Sequence, residues 1–550
     1  MYMGWNVHEI QRKTKSYVAL KKNERVGKKV KSSYIYLGPT INAMKIFADF
    51  QIKPLIDEKE ISYSGEIILE KIANTINFSK VLEKYTNDKR VAEVLTNIVI
   101  LRTLFSDSKR KLVKKRLNHS ILKDSTDLRY LEEVYRFMDR IHDNLGDIMY
   151  DLTRNAVKKH SLDMEYLIID ATRIKVWKDE ETGMVRFGYS SKKDRKNLPQ
   201  VNLILGVNNQ QIPLFANIYP GNTQDIKMFH DFIRSINTKY QELTKNVKDK
   251  IIIFDQGNVN KGNIGYLSDL KQQGIHYITM MKTNSSVKFI KNVDKSTMPL
   301  IYTKEKSKNV KTEIYGELIE GKVYGKKSKV LVCYNPYLME QKCEILDRKV
   351  DSVKQMVMDR CSLEDIKARI SKYNLKRALK LTDNDDRMEL EIDIDDLDTR
   401  KKRYGFFVLF TEHPDMLAEK ILEIYKSRDL VEEGFRALKS DLDINPTYHS
   451  KDMRIETHVI LVVFGYLLLS ILREILNEKE MKYSFEHLKE TIISGNAVEG
   501  FYENEQLKNR LYLWRPIKQK MELEEIFRAL KIKAPKFDVK ECIPTDIEAF

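Results

Sequence analysis

The chain contains little cysteine. Among its 550 residues there are only four, which are far apart in the sequence: Cys333, Cys343, Cys361 and Cys542. They include no C-x-x-C pair, and no histidine pair lies near any of them in the sequence. This pattern excludes a cysteine-ligated zinc site and a disulfide scaffold. Zinc-finger proteins and small disulfide-rich secreted proteins are therefore excluded as classes.

Long hydrophobic runs are also missing. The most apolar stretch is residues 459–472, which is shorter than the roughly 20 residues that a helix needs to cross a bilayer. We therefore expect a buried helix at this position and no membrane partner. The N-terminal sequence MYMGWNVHEIQRK has no apolar core of the signal-peptide type, so secretion is not expected.

Positive charge is present in excess. Lysine and arginine total 96 against 80 acidic residues, which gives a formal net charge of +16. This balance favours a polyanionic partner such as nucleic acid, although a basic surface kept for solubility would give the same totals. The length indicates about three or four domains.

The N-terminal 160 residues combine a basic hairpin pattern with helical periodicity. Residues 16–37 are typical of two strands around a polar turn, and residues 12–31 carry nine cations and a single acid. Such a hairpin suits a phosphate backbone, and it equally suits a solvated sheet edge. Apolar spacing predicts helices after it, with six cations in the eight residues 109–116. We expect residues 1–160 to form a DNA-binding region.

From residue 165 onward, short apolar strands alternate with helices. Continuous apolar runs of this kind are typical of a sheet buried on both faces and predict an α/β core. The pattern breaks over a highly charged segment and returns in a strand at 404–410, so we predict a core interrupted by an insertion. We predict a DNA-binding region at 1–160 and the first part of the core at 161–283. The insertion follows at 284–402, the second part of the core at 403–475 and a helical C-terminal region at 476–550.

Two carboxylates close apolar strands of the predicted sheet. Asp170 follows the run 166–169, and Asp255 follows the run 251–254. A carboxylate at the end of a buried strand is costly unless a cation or a metal receives it, so two of them in one sheet indicate a shared partner. The alternative is structural, because such an acid can also cap the turn that follows its strand.

A polar stripe is predicted on a helix further along the chain. Its members stand at offsets 0, 3, 7 and 14 and are Tyr425, Arg428, Glu432 and Lys439. On a helix that advances about 100° per residue, these offsets fall within a sector of roughly 60°. Arg436 falls on the same stripe, whereas Glu433 points away by about 100°. Glu432 is therefore the carboxylate that shares a face with the cations.

Asp170, Asp255 and Glu432 together would make an oxygen-rich site. Mg²⁺ favours hard carboxylate ligands, and two such ions can activate a nucleophile and stabilise a leaving oxygen. The combination of these acids with neighbouring cations therefore indicates phosphodiester chemistry. For His449 and His458, which follow the stripe, we expect structural hydrogen bonds rather than metal binding, because no third ligand lies near them in the sequence.

The spacing Tyr-2-Arg-3-Glu-6-Lys resembles the signature of bacterial insertion-sequence DDE transposases that carry a β-rich insertion in their core. Asp170 within YLIIDATRIKV and Asp255 within IIIFDQGN agree with this resemblance, which covers about residues 165–475. It implies an α/β fold with a ribonuclease H-like catalytic core. The insertion then explains the long gap between Asp255 and Glu432.

By the same resemblance, the three acids would bind two Mg²⁺ ions, with Mn²⁺ as a substitute. Water would first cut a phosphodiester at the element end, and the freed 3′-hydroxyl would then attack target DNA. The side chains expected to hold DNA are Tyr425, Arg428, Arg436 and Lys439. Arg436 is included on the helical-face argument only.

The resemblance implies a cut-and-paste transposase whose partners are double-stranded DNA, as element ends and target, and a second copy of the chain in a homodimer. The expected location is the cytoplasm, at the nucleoid. Two alternatives remain open: a catalytically silent DNA-binding protein derived from such an element, and a metal-dependent nuclease of the same fold without strand transfer. Inverted repeats flanking the gene would favour the transposase over both.

Overall fold

The computed structural model divides into two compact units, each discontinuous in sequence. Unit 1 comprises Met1–Asp163, Ala171–Thr223 and Glu432–Phe550, and unit 2 comprises Met164–Asp170 and Gln224–Val431. The residues that the structure describes are 6–12, 15–26, 29–39, 56–188, 199–307, 310–384, 387–504, 509–517, 520–535 and 538–542.

The strands of the described residues are numbered in chain order. They are β1 (Asn6–Arg12), β2 (Lys15–Val26), β3 (Lys29–Pro39), β4 (Ile56–Ser62), β5 (Tyr166–Lys175), β6 (Gln200–Val207), β7 (Pro213–Pro220), β8 (Lys250–Phe254), β9 (Ile275–Met280), β10 (Leu300–Ser307), β11 (Val310–Val323), β12 (Lys326–Tyr334), β13 (Leu379–Asn384), β14 (Arg387–Ile392), β15 (Phe406–Thr411), β16 (Asn496–Asn504), β17 (Asn509–Pro516) and β18 (Asp538–Cys542).

The α-helices of two turns or more are numbered in the same way. They are α1 (Ser64–Thr75), α2 (Phe78–Thr86), α3 (Lys89–Phe105), α4 (Leu131–Ile141), α5 (Leu145–His160), α6 (Asp225–Leu243), α7 (Lys261–Asp269), α8 (Thr283–Ile290), α9 (Pro336–Met358), α10 (Leu363–Lys372), α11 (Ile394–Lys401), α12 (Ala418–Lys426), α13 (Asp429–Arg436), α14 (Asp452–Asn477), α15 (Phe485–Ile492) and α16 (Met521–Ala529).

Unit 2 is built on a large mixed sheet with the strand order β10-β11-β12-β15-β9-β8-β5. The neighbours β5, β8 and β9 are parallel, and the other neighbours are antiparallel. All residues of β8 are buried, as expected of a strand covered on both faces. Helix α6 packs on it through Phe229, whose ring centroid lies 4.5 Å from that of Phe254. The predicted α/β core with a buried sheet is confirmed.

The segment predicted as an insertion contributes strands to this sheet. The strand-like pieces expected there are β11 and β12, and β12 pairs with β15, so that β10 to β12 extend the core sheet. A separate apolar cluster forms only after β12, where α9 and α10 pack with the β13–β14 hairpin. Its buried members are Leu346, Val350, Val353, Ile366, Ile370, Leu375, Ala378 and Leu379.

Unit 1 is organised around helix α14. Among the described residues, this helix is long and apolar enough to cross a membrane by length and composition, with a mean hydropathy of 2.3, yet 83% of that window is buried inside the protein. Helices α1, α3, α4 and α5 pack on it, as does β7. The buried helix expected at residues 459–472 is therefore confirmed.

The N-terminal hairpin is also confirmed. Strands β2 and β3 pair antiparallel up to Val26 and Lys29, and β1 pairs with the other edge of β2. Part of the expected turn, Asn23 to Val26, belongs to β2 instead. Residues 27–28, which connect the two strands, lie outside the described residues, as do the side chains of most of the hairpin cations.

The prediction of a helical C-terminal region is wrong in part. Besides α15 and α16, this region contains β16, β17 and β18, which form a sheet in the order β18-β17-β16-β4. The physical reason is the aromatic and β-branched content of NAVEGFYEN and NRLYLWRP, which suits a pleated surface. The ring of Tyr63 packs against that of Trp514 in β17, with ring centroids 5.4 Å apart.

The basic run at 109–116 is partly structural. Lys109 is buried, and its Nζ lies 2.6 Å from His458 Nδ1 and 3.3 Å from His449 Nε2. Lys111 and Arg116 both pair with Asp107. The prediction that the two histidines make structural hydrogen bonds is thereby confirmed. The exposed cations of the run are Arg110, Lys111, Lys114 and Lys115.

Candidate active site

Asp255 directly follows the end of β8, and Asp170 lies within β5, just after the segment of β5 that pairs with β8. The parallel register pairs Ile169 of β5 with Phe254 of β8, so the next residue of each strand is one of the two acids. Both side chains are half-buried. Since the strands are parallel and adjacent, the two acids lie at the same level of the sheet. This arrangement agrees with the prediction from the two apolar runs.

The side chain of Asp255 is not used to cap the backbone. The short 3₁₀ turn Gln256–Asn258 begins directly after it, and no side-chain cap hydrogen bond is made there. The carboxylate instead receives Arg428, whose Nη1 lies 3.4 Å from Asp255 Oδ1. The capping role, which was the structural alternative for this acid, is therefore not what the fold uses.

Tyr425 lies beside the same groups. It is buried, and its Oη has no hydrogen-bond partner among the described residues. Burial raises the pKa of its phenol; the Arg428 guanidinium opposes this rise in pKa, while the carboxylates of Asp255, Asp429 and Asp170 add to it. One phenol therefore lies within electrostatic range of both strand-end acids. The guanidinium carbon of Arg428 is 6.0 Å from the Tyr425 ring centroid.

The continuous helix predicted from Tyr425 to Lys439 is interrupted. Helix α12 ends at Lys426, and Ser427 Oγ donates to Ile424 O at 2.6 Å. The backbone then makes i to i+3 bonds, including one from Arg428 N to Tyr425 O at 3.1 Å, before α13 begins. After α13 the turn widens to a π-helix at Ala437–Asp441. The assumption of one continuous α-helix is therefore wrong, because 100° per residue does not hold through a 3₁₀ turn and a π turn.

Glu432, Arg436 and Lys439 belong to unit 1, which resumes at Glu432. All three side chains are exposed, at spacings of four and three residues. Gln211 Nε2 donates a hydrogen bond to the neighbouring acid, Glu433.

The sequence analysis missed one group of potential metal ligands in unit 2. Asp249, His276 and His413 place one ligand atom each within 4.8 Å of one another. Finding it requires the strand register, because β15 returns to the sheet only after the long insertion. The signal available in the sequence was a histidine at each of two strand ends and an acid before a third.

Comparison with known proteins defines the class. A family model described as "Transposase DDE domain" matches residues 161–468 of the 550. Because this match spans more than half of the residues of the chain, the chain belongs to the DDE transposase family.

One solved structure similar to this chain is a cryo-EM structure of a piggyBac transposase synaptic complex with hairpin DNA. The TM-score is 0.39 at 8% sequence identity, and the alignment covers 80% of this chain and 82% of that chain. A TM-score of this size does not establish a shared fold. Among curated proteins, no sequence matches this chain significantly.

Proposed function

We propose that this chain is a cut-and-paste DNA transposase of a bacterial insertion sequence. It binds the terminal inverted repeats of its own element, cleaves the ends by Mg²⁺-dependent hydrolysis and joins them to target DNA. One observation carries the proposal: Asp170 and Asp255 follow paired positions on parallel strands, and Arg428 contacts the second acid. Membership of the DDE transposase family supports the same activity.

The proposed ligands of two Mg²⁺ ions, with Mn²⁺ as a substitute, are Asp170, Asp255 and Glu432. The donor set fits, because Mg²⁺ prefers hard carboxylate oxygens and DDE transposases as a class act with divalent metal ions. Asp255 also fits because its side chain does not cap the following turn. When bound, such ions activate a water and stabilise the leaving oxygen of a phosphodiester.

The other residues of the signature would hold DNA. Arg428 suits a phosphate because a guanidinium forms two parallel hydrogen bonds with it. Tyr425 has an unused phenol hydroxyl that can donate to the same backbone. Arg436 and Lys439 are exposed and would add positive charge along the DNA. Water attack frees a 3′-hydroxyl at the element end, and attack by that hydroxyl on target DNA forms the new phosphodiester and displaces a target 3′-oxygen.

The proposed core is ribonuclease H-like and interrupted by an insertion. The parallel order β9-β8-β5 in unit 2 and the antiparallel β6–β7 pair in unit 1 support this proposal. The predicted divisions at 1–160, 161–283, 284–402, 403–475 and 476–550 belong to the same proposal. The proposed partners are double-stranded DNA and a second copy of the chain in a homodimer at paired ends, and the proposed location is the nucleoid of the cytoplasm. The net charge of +16 supports the DNA partner.

The test uses the full-length chain, Mg²⁺ and linear DNA that carries the inverted repeats flanking its gene. The variants are Asp170→Ala, Asp255→Ala and Glu432→Ala, and Glu433→Gln is the matched control. Cleavage and joining should fall about a hundredfold or more in the three variants, a barrier increase of ~2.7 kcal/mol or more. The control should retain wild-type activity.

Three outcomes would change the assignment. If the alanine variants cleave and join as well as the wild type, the acids are wrongly assigned. If the wild type cuts the ends but never joins them, the chain is a nuclease of this fold. If it binds the ends without cutting them, it is a silent DNA-binding protein.

A further inference from the structure

A group of metal-ligand side chains lies in unit 2 at the amino ends of the parallel strands, away from the edge that carries Asp170 and Asp255. Asp249 directly precedes β8, His276 is the second residue of β9, and His413 follows the end of β15. Three strands separated widely in sequence therefore bring these residues to one edge of the sheet.

The strand register explains this proximity. Parallel pairing aligns Ile251 of β8 with His276 of β9. Antiparallel pairing aligns Thr411 of β15 with Ile278, so that His413, two residues later, comes opposite His276. The two imidazole ring centroids are 4.5 Å apart, and the candidate ligand atoms of all three residues lie within 4.8 Å of one another.

His276 is a buried residue with an unsatisfied hydrogen-bonding atom. The residue is only 8% exposed, and its Nδ1 atom has no hydrogen-bond partner among the described residues. A buried polar atom without a partner is uncommon in native proteins and calls for a water or an ion.

Among the side chains named here, only Asp249, His276 and His413 are counted as potential ligands, because the neighbouring acid is already hydrogen-bonded. Glu412, next to His413 in sequence, is engaged by Tyr277 Oη at 2.9 Å and by Ser268 Oγ. The backbone N–H of Asp415 donates to His413 Nδ1 at 3.3 Å. Binding through either ring nitrogen would end this contact, which is long for a hydrogen bond and therefore cheap to lose.

We propose that Asp249, His276 and His413 form a Zn²⁺ site that is separate from the proposed Mg²⁺ site. Two imidazoles and one carboxylate suit Zn²⁺, whereas Mg²⁺ takes oxygen ligands. Ligand atoms around a tetrahedral zinc lie about 3.3 Å apart, so the three ligand atoms, which lie within 4.8 Å of one another, would move closer together when the ion binds.

The proposed ion has a structural role that goes beyond the proposed DNA chemistry. It would fasten the end of β15 to the starts of β8 and β9. β15 is the strand through which the chain returns to the core sheet after the inserted segment, and α12, which carries Tyr425, follows it. Zn²⁺ would therefore stabilise unit 2 without touching the acids at the other edge.

The experiment uses the full-length chain without an affinity tag, freed of metal by chelation. Zn²⁺ alone is titrated against a chromophoric chelator, and Co²⁺ is titrated as a spectroscopic substitute. The wild type should bind one equivalent of Zn²⁺, give visible Co²⁺ absorption bands and gain roughly 2–5 °C in melting temperature at saturation. His276→Asn and His413→Asn should lose that equivalent, and Asp249→Asn should bind it at least tenfold more weakly.

The controls are His119→Asn, which alters an exposed histidine elsewhere in the chain, and Asp255→Asn, which alters the proposed Mg²⁺ site; both should keep the Zn²⁺ equivalent. Because His276→Asn could disturb folding, the half-buried His413 and Asp249 variants are read beside it, with circular dichroism on each. Failure of the wild type to bind Zn²⁺ would overturn the proposal, and so would undiminished binding by the folded His413→Asn variant. Neither result depends on DNA cleavage with Mg²⁺, so the two proposals fail separately.

Discussion

The phenol of Tyr425 combines burial, nearby carboxylates and an unused hydroxyl. A hydroxyl that is buried without a partner weakens the folded state, because it has lost its hydrogen bonds to water. The presence of this hydroxyl next to Arg428 and Asp255 is therefore better explained by a ligand that it binds than by a contribution to folding stability. In the proposed function that ligand is a DNA phosphate.

Substitution of Tyr425 by phenylalanine separates these two roles. Tyr425→Phe should leave the free energy of unfolding unchanged or raise it by up to about 1 kcal/mol, while cleavage of element ends falls. Urea unfolding and the cleavage assay measure the two effects. The matched control is Tyr277→Phe, which removes a hydroxyl bonded to Glu412 and should cost about 1–2 kcal/mol. Full cleavage activity in Tyr425→Phe would contradict the proposed phosphate contact.

Arg428 provides a second test at the same scale. Its ion pair with Asp255 is partly exposed, with 23% and 32% of the two side chains accessible, so the pair should add less than about 1 kcal/mol to stability. Arg428→Lys should therefore fold normally but lose roughly 10-fold or more in end cleavage, because an ammonium cannot form the paired hydrogen bonds of a guanidinium. Arg436→Lys, at an exposed position, is the control. Equal activity of both variants would remove the special role of Arg428.

Among the elements, helices α13 and α14 meet within unit 1 at one glycine, Gly434. A Cβ added at Gly434 would lie 2.7 Å from Tyr466 Oη, which donates to Gln211 O at 2.8 Å. Gln211 also donates to Glu433, so this contact helps to set the direction of the helix that carries Glu432. The absence of a side chain at Gly434 is thus a packing requirement.

Gly434→Ala should destabilise the protein by about 1–3 kcal/mol, since the added methyl group must displace the Tyr466 hydroxyl. Gly146→Ala makes the same chemical change in helix α5, where a Cβ would meet no atom within 4 Å, and should be neutral or stabilising by up to about 1 kcal/mol. Thermal and urea unfolding compare the two variants. Equal stability of both would show that α13 adjusts at no cost.

The elements also show what could be predicted from sequence. The acids that follow the apolar runs of β5 and β8 were predictable because each run is continuous and stops at a charge, although β5 itself continues to Lys175. The break after Lys426 was not, because it depends on small energy differences between 3₁₀ and α hydrogen bonds. Strands β16 and β17 were missed because short aromatic runs do not distinguish strand from helix. His276 and His413 were missed because only the register of β15 brings them together.

For the whole molecule, buried basic groups in unit 1 link stability to pH. Burial, together with the nearby charges of Lys109 and Arg454, lowers the pKa of His449 from 6.5 to about 3. His458 is buried beside it, and its pKa is lowered in the same direction. Between pH 6.5 and 3 the unfolded chain therefore binds protons that the folded chain does not. Stability must fall as the pH falls through this range.

His449→Gln should reduce this dependence on pH. Between pH 6.5 and pH 5 the wild type should lose about 1–2 kcal/mol more stability than the variant, because the variant has no imidazole to protonate in the unfolded state. Urea unfolding at the two pH values measures the difference. His119→Gln, which changes an exposed histidine, should keep the wild-type dependence. The same pH dependence in His449→Gln would show that this histidine is not linked to folding.

The sheet that joins β4 to β16 has a consequence for synthesis of the protein. Asn496 Nδ2 donates to Glu60 Oε1 at 2.7 Å across 436 positions of the chain. At about 5–20 residues per second, a ribosome needs roughly 20–90 s to cover that distance. During this time β4 has no partner strand and its edge is open to other chains or to chaperones. An mRNA truncated before codon 496 would therefore yield a chain in which β4 lacks its partner strand β16, even though Asp170, Asp255 and Glu432 are all present.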